Sequence, residues 1–368
     1  MGERRHRSWM RQALAAAARA DGSVSPNPRV GCLLVKNDAV VGCGYHRGPG
    51  RPHAEAEAIS AAAGLARGAT AYVTLEPCAH RGQTPPCANA LVEAGVARVF
   101  AAMRDPDPRV DGKGFDILRA AGIEVSIGCL SDDAERLNEG FLHWHRTSLP
   151  FVTLKAATTL DGRLSARDGE SRWISSEASR NFAHRLRWEH DAILVGAGTV
   201  RRDNPSLTVR LRGDERHRPI VVLSASGDLD PASKIFRDVR PEGSTPSLFV
   251  YSTSGSDLWS GRAHVGRIDP RGALSTVLRE LGAFGIRKLL VEGGGETFRH
   301  FLDQDLVQRL ALFQAPLAVG GEGATPLIGG LSVPRPADGF YWRRQQSLPL
   351  DGDLFTSFVR ADAAAEGR

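Results

Sequence analysis

The chain has 368 residues, 42% apolar and 24% charged. These are ordinary globular proportions that exclude a disordered chain, and at about 150 residues per domain the length points to two domains. The net charge is only +5 and the basic residues are scattered, so composition gives no nucleic-acid footprint and suits a small anionic ligand.

An amphipathic helix is expected over residues 8–20. Arg11 and Arg19 interrupt its Ala-rich stretch, so a signal peptide is not expected. Strands are expected at 29–35 and 40–45, joined by the turn pair Asn37-Asp38. A helix over 53–65, a strand over 71–75, a helix over 87–94, a strand over 96–102, a helix over 115–121 and a strand over 123–127 follow. A single helix over 132–145 closes an α/β sandwich. Residues 146–150 read as a linker, which divides the chain into domains 1–147 and 148–368. The second domain is again α/β, with strands near 151–157, 192–195, 220–223, 248–251, 288–291 and 310–315. Its helices are expected near 177–188, 273–281 and 297–302. Five cysteines, an odd number, argue against a disulfide framework and for a reducing compartment. Cys32, Cys43 and Cys129 lie in strand-like runs and are expected to pack in the core. No apolar run approaches the roughly 18 residues of a membrane span. The expectation is a cytoplasmic protein with no membrane partner.

Two other cysteines carry chemistry. Pro52-His53-Ala54-Glu55 lies at a helix start, and Cys78 is followed nine residues later by Cys87. One imidazole and two thiolates make three ligands for a tetrahedral zinc and leave one position for water. The metal acidifies that water. Glu55, two residues beyond His53, can face the water without ligating the metal and carry a proton from it to a leaving amine.

His53-Ala54-Glu55 with Pro77-Cys78 resembles the cytidine-deaminase signature, but the long interval to Cys87, with Thr84-Pro85-Pro86 before it, is less common. It resembles the deaminase half of the bifunctional deaminase/reductase family of riboflavin biosynthesis. Pro26-Asn27-Pro28-Arg29-Val30-Gly31, Thr74-Leu75-Glu76-Pro77 and Asp105-Pro106-Asp107-Pro108 are similar to that family as well. The resemblance implies hydrolytic deamination of 2,5-diamino-6-ribosylamino-4(3H)-pyrimidinone 5′-phosphate. Asn27, His46 and His80 are then expected at the pyrimidine. Gln83 departs from the Lys or Arg usual there, and a neutral amide cannot supply phosphate-binding charge, so Arg81 or Arg51 is expected to take that role.

In the second half, Leu289-Leu290-Val291 leads into Glu292-Gly293-Gly294-Gly295-Glu296-Thr297 and a helix. This turn can bring backbone N–H groups to a pyrophosphate. The segments 154–163, 169–175, 191–200 and 203–210 resemble the family's reductase half, a dihydrofolate-reductase-like domain. The resemblance implies NADPH-dependent reduction of the ribosyl group to ribityl. It assigns Ala157, Trp173, Thr199, Asp203, Gly294, Gly295, Glu296 and Thr297 to the cofactor. It assigns Ser171, Arg187, Leu207, Arg210 and Glu292 to the substrate. Lys155, in a chain where 42 of the 47 cationic residues are Arg, is expected to join them. Lys155, Asp161 and Glu292 are the alternatives for the proton donor. Ser224-Ala225-Ser226 departs from the family's Asp-Ser, so Ser224 or Ser226 is expected to replace that cofactor contact.

The expected protein is thus a cytidine-deaminase-like α/β sandwich joined to a dihydrofolate-reductase-like α/β domain. It is a zinc hydrolase and an NADPH oxidoreductase, cytoplasmic and a homo-oligomer, acting on a small phosphorylated pyrimidine rather than nucleic acid. Two other readings compete: a nucleic-acid or nucleoside base deaminase with an accessory domain, and a non-catalytic zinc module with a fourth protein ligand such as His80.

Overall fold

A computed structural model describes residues 2–80, 86–169, 174–211, 214–237, 246–253, 263–268, 273–335 and 338–361. It divides into two units, Met1–Ser148 and Leu149–Arg368.

In the first unit the elements run α1 (Gly2–Ala17), β1 (Gly31–Lys36), β2 (Ala39–Tyr45), α2 (Ala54–Ala61), β3 (Thr70–Val73), α3 (Cys87–Glu93), β4 (Arg98–Ala101), α4 (Lys113–Ala120), β5 (Glu124–Ile127), α5 (Ser131–Leu137) and α6 (Glu139–Thr147). The sheet order is β2-β1-β3-β4-β5. β1 is antiparallel to both neighbours, and β3, β4 and β5 are mutually parallel. β1 is almost wholly buried because helices cover both its faces. Gly31 meets α1, whereas Gly42 and Gly44 of β2 meet α2, on the side that Cys32 shares with Gly44.

Three expectations are corrected here. α1 begins at Gly2 rather than residue 8, because the polar first turns find a tertiary anchor. His6 Nδ1 lies 2.8 Å from the Tyr72 hydroxyl, and its ring stacks on Phe100 at 4.1 Å. The expected helix over 132–145 is two helices that break at Asn138. The Asn138 amide is drawn to the Arg29 backbone, accepting from its N–H at 2.7 Å and donating to its carbonyl at 3.0 Å. Cys32 is buried as expected, but Cys43 is exposed: its neighbours Gly42 and Gly44 take the helix-covered face, so it points to the other side.

In the second unit the elements are β6 (Phe151–Thr158), α7 (Glu177–Glu189), β7 (Ala192–Gly196), α8 (Ala197–Asp203), β8 (Val209–Leu211), β9 (Asp214–Arg216), β10 (Ile220–Leu223), β11 (Leu248–Ser252), β12 (His264–Arg267), α9 (Leu274–Ala283), β13 (Lys288–Val291), α10 (Gly295–Asp303), β14 (Arg309–Gln314), β15 (Trp342–Leu350) and β16 (Asp353–Arg360). The large sheet has the order β12-β11-β10-β7-β13-β6-β14-β16-β15. Its strands from β12 to β14 are parallel, and β16 and β15 return antiparallel at one edge. Ala192–Val195, Ile220–Val222 and Leu289–Val291 are buried, the continuous apolar signature of parallel strands covered on both faces. Such sheets open their ligand crevices at the carboxyl ends of the strands. No helix among the described residues is long and apolar enough to cross a membrane.

Candidate functional site

In the first unit one ligand atom each from His53, Cys78 and Cys87 lies within 4.8 Å of the other two. His53 caps α2 with an extended backbone. Its place depends on the close approach of α2 to β2, since a Cβ on Gly44 would overlap the Ala54 carbonyl oxygen. Cys78 sits in a loop pinned by the buried Glu76 carboxylate. That carboxylate accepts from the N–H groups of Asp105 (3.2 Å), Gly112 (3.0 Å) and Gly114 (3.0 Å). Cys87 opens α3, and its N–H donates to Cys78 Sγ at 3.2 Å.

His53 Nδ1 is 3.2 Å from Cys87 Sγ and 3.6 Å from Cys78 Sγ. A tetrahedral zinc with bonds of about 2.3 Å to sulfur and about 2.05 Å to nitrogen needs N–S edges of about 3.6 Å. The residues fit that ion, and the charges agree. Hydrogen bonding from Cys87, aided by His53, holds Cys78 down at about 4 against the effect of its burial. Cys87 is pushed up by the Cys78 sulfur beside it and by burial, so a second thiolate needs a cation between the sulfurs.

Glu55 is 3% exposed and lines the same cavity as His53 and Cys78. Burial, reinforced by the charge on Cys78, pushes its carboxyl up to about 7, which suits a proton carrier. Asn27, His46 and His80 line this cavity too. His46 donates from Nδ1 to the Pro52 carbonyl at 3.1 Å and accepts at Nε2 from the Asn27 amide at 2.9 Å. Burial lowers its pKa, so it is a neutral ring of fixed tautomer. The Asn27 carbonyl oxygen remains to accept from a ligand. His80 Nδ1 is buried without a partner among the described residues, as expected of a group aimed at a ligand. Arg81 and Gln83 lie outside the described residues, and Arg51 does not line the cavity. Asp105, Asp107 and Arg109 do line it. Sequence reasoning noted their segment only as a family match. Burial pushes Asp105 up to about 7.

Two cavities of the second unit lie at the carboxyl ends of its parallel strands. One is lined by Lys155, Ala157, Arg180, His184, Arg187 and Arg210 among others. Arg187 grips Glu292 with two nitrogens, at 2.6 and 2.9 Å, and donates a third bond to the Thr208 carbonyl at 2.9 Å. Lys155 Nζ is 3.8 Å from Glu292. Burial would raise the Glu292 carboxyl, but Arg187 and Lys155 outweigh it and hold it at about 2. Burial lowers the Lys155 ammonium against the pull of Glu292. Arg210 donates to Thr208 Oγ1 at 2.8 Å. Arg180 was missed, though its spacing from His184 and Arg187 puts all three on one face of α7. Leu207 is buried in the apolar cluster with Val200, Ile193 and Val195 of β7 and Ile220 and Val222 of β10, at a positive φ of 51°. Ser171 and Trp173 lie outside the described residues.

The other cavity is lined by Thr199, Gly294, Gly295, Glu296 and Thr297, together with Ser224 and Ala225. Gly294 caps α10, and Gly295 passes so close to Pro326 and Gly329 that a Cβ would meet them at 2.7 Å. Asp203 ends α8, one turn beyond Thr199. Ala157 lines the cavity of Lys155 instead of this one. Arg201, Arg202 and His300 add cationic or titratable lining that sequence reasoning did not single out. Asp161 accepts from the Val319 and Gly320 N–H groups at 3.2 and 2.8 Å; a loop hydrogen bond from Thr159, then Gly320, holds it at about 2.

Two histidines give this unit a pH dependence. His184 Nδ1 accepts from the Arg210 N–H at 3.2 Å, and burial lowers its pKa to about 4. His190 is fully buried between Leu186 and Thr153, and burial lowers it well below the usual histidine value. Unfolded histidine titrates near 6.5, so between pH 7 and 5 the unfolded chain takes up protons that the folded unit refuses. The stability they leave intact above pH 6.5 is lost as pH falls, by about 2–3 kcal/mol down to pH 5 after discounting partial exposure. The expected fall in melting temperature is about 5–10 °C. Calorimetry at the two pH values checks this, and an unchanged transition at pH 5 would contradict it.

Comparison with known proteins places these features in a family. Residues 3–103 match the cytidine and deoxycytidylate deaminase zinc-binding region, and residues 150–354 match the RibD C-terminal domain. The chain is 42% identical over 338 residues to riboflavin biosynthesis protein RibD of Bacillus amyloliquefaciens, covering 88% of this chain and 87% of that one. It is 40% identical over 333 residues to RibD of Escherichia coli, covering 85% and 88%. Among solved structures, Acinetobacter baumannii RibD superposes with a TM-score of 0.89 at 36% identity, covering 98% of this chain and all (100%) of that one. A Thermotoga maritima diaminohydroxyphosphoribosylaminopyrimidine deaminase/5-amino-6-(5-phosphoribosylamino)uracil reductase superposes at 0.85 with 32% identity and the same coverage.

Proposed function

The chain belongs to the RibD family of bifunctional deaminase–reductases of riboflavin biosynthesis, and on that premise we propose which residues carry each reaction. Residues 1–147 deaminate the diaminopyrimidinone ribotide, and residues 148–368 reduce its ribosyl group to ribityl with NADPH. The observation that carries the first assignment is the meeting of His53, Cys78 and Cys87 beside the buried Glu55.

His53, Cys78 and Cys87 hold the zinc. Once bound there, zinc would supply an acidified water for hydrolysis. Glu55 takes the proton of that water and returns it to the exocyclic nitrogen, so ammonia leaves as a neutral molecule. Asn27, held by His46, offers its carbonyl oxygen to the pyrimidine edge, and His80 offers its unpartnered nitrogen. These contacts orient the amine-bearing carbon.

In the second unit the turn Gly294, Gly295, Glu296, Thr297 at the start of α10 takes the cofactor pyrophosphate, with Thr199 beside it and Asp203 one turn further along α8. Ala157, from the cavity of Lys155, and Trp173 are the remaining cofactor contacts that the family resemblance assigns, and Ser224 lines the cofactor cavity where a replacement contact is expected. NADPH supplies the hydride when bound. Lys155, Arg187 and Arg210 line the cavity for the ribosyl phosphate end, with Glu292 anchoring Arg187 and Lys155, and with Ser171 and the Leu207 backbone assigned there by the family resemblance; Arg210 has more free donors than Arg187, whose fork is spent on Glu292. The same reading makes the protein a cytoplasmic homo-oligomer acting on a free small molecule, with no nucleic acid.

The test is chromatography of the diaminopyrimidinone ribotide after incubation with zinc-loaded protein and NADPH. The deaminated ribitylamino product is expected. Untouched substrate, with protein folded and zinc bound, would refute the assignment.

A further inference from the structure

We propose that Arg109 is the residue by which the deaminase cavity reads the phosphate of its substrate, held in place for that task by Asp107. The proposal rests on the deaminase function above. Among the described residues lining that cavity, Arg109 is the one with a permanent positive charge; the other titratable residues are histidines, a cysteine and carboxyl groups. A dianionic ligand entering such a cavity needs a cation besides the metal.

The position suits the shape of a ribotide. Glu55 and His46, at the end where the ring reacts, are each 3% exposed. The Arg109 side chain is 70% exposed, so it stands at the rim. A substrate with its pyrimidine at Glu55 carries its phosphate on the far side of the ribose, toward solvent.

Arg109 is also paired within its own turn, unlike a fully solvated surface arginine. Asp107 Oδ1 accepts from the Arg109 backbone N–H at 2.9 Å and from Nε at 3.0 Å. Asp107 Oδ2 accepts from Nε at 2.9 Å and from Nη2 at 2.6 Å. Asp107 is itself fixed, because its N–H donates to Asp105 Oδ1 at 2.9 Å. Two successive Asp side chains thus clamp the turn 105–109 and the guanidinium with it. Nη1 makes no hydrogen bond among the described residues and stays available, together with the outer hydrogen of Nη2. A guanidinium ordered before the ligand arrives loses little further freedom on binding phosphate.

The test compares deamination of the phosphorylated substrate with that of its dephosphorylated nucleoside, using the zinc-loaded full chain. In wild type the phosphorylated compound is expected to have the lower KM, by tenfold or more. Arg109→Gln should raise the KM of the phosphorylated compound about tenfold with kcat within twofold, and remove most of the discrimination. Arg109→Lys, which keeps the charge without the guanidinium that Asp107 holds in place, should recover part of it. An equal rise for both compounds, or no rise for either, would overturn the proposal while leaving the deaminase function intact. Failure of wild type to deaminate either compound would overturn both.

Discussion

Glu55→Gln is expected to lower ammonia release by a factor on the order of 10³ or more while the protein keeps its zinc. The change is nearly isosteric at a side chain that is 3% exposed in the first turn of α2, so packing should hold. The amide cannot accept the proton of the attacking water or return it to the leaving nitrogen. Metal analysis of the variant should give the wild-type zinc content, because the three ligand atoms come from other residues. Reduction of the deaminated ribotide by the same preparation should continue at the wild-type rate. Deamination that persists within tenfold of wild type would remove Glu55 from its role.

Arg187→Ala is expected to damage the second unit in two measurable ways. It leaves the Glu292 carboxylate, 11% exposed in its side chain, with Lys155 at 3.8 Å as its remaining ion-pair partner among the described residues. Breaking a buried pair from one side costs about 3–5 kcal/mol, which lowers the melting temperature of a unit this size by roughly 10 °C. Reduction should also fall by a factor on the order of 10², because Glu292 and Lys155 lose the fork that orients them. Arg187→Lys should retain part of the stability and little of the rate. Deamination by the same protein should be unaffected. An Arg187→Ala variant that melts and reduces like wild type would show that the pair neither holds the unit nor orders its cavity.

The metal site was legible in the sequence because its chemistry is local. His53, Ala54 and Glu55 sit at a helix start, and Cys78 and Cys87 are separated by one loop, so spacing alone nearly fixes which atoms can meet. The parallel strands were legible for a similar reason, since β7, β10, β11 and β13 are short unbroken apolar runs. What escaped was set by distant partners. The break at Asn138 depends on Arg29, more than a hundred positions away, and nothing in the helical pattern of 132–145 announces it. The β15–β16 hairpin was hidden because β15 is an exposed edge strand with polar residues and Pro349, which read as non-strand. Arg109 was overlooked among scattered arginines, and only the fold shows that it shares a cavity with Glu55.

The Glu76 carboxylate gathers three backbone N–H groups, and none of those bonds involves a metal ligand's donor atom. The loop that carries Cys78 is therefore shaped by hydrogen bonds that form during folding. Stripping the ion from such a protein leaves an assembled receptor where a zinc finger would leave an unfolded chain. Reloading then becomes a capture event, limited by encounter. It requires no search through chain conformations.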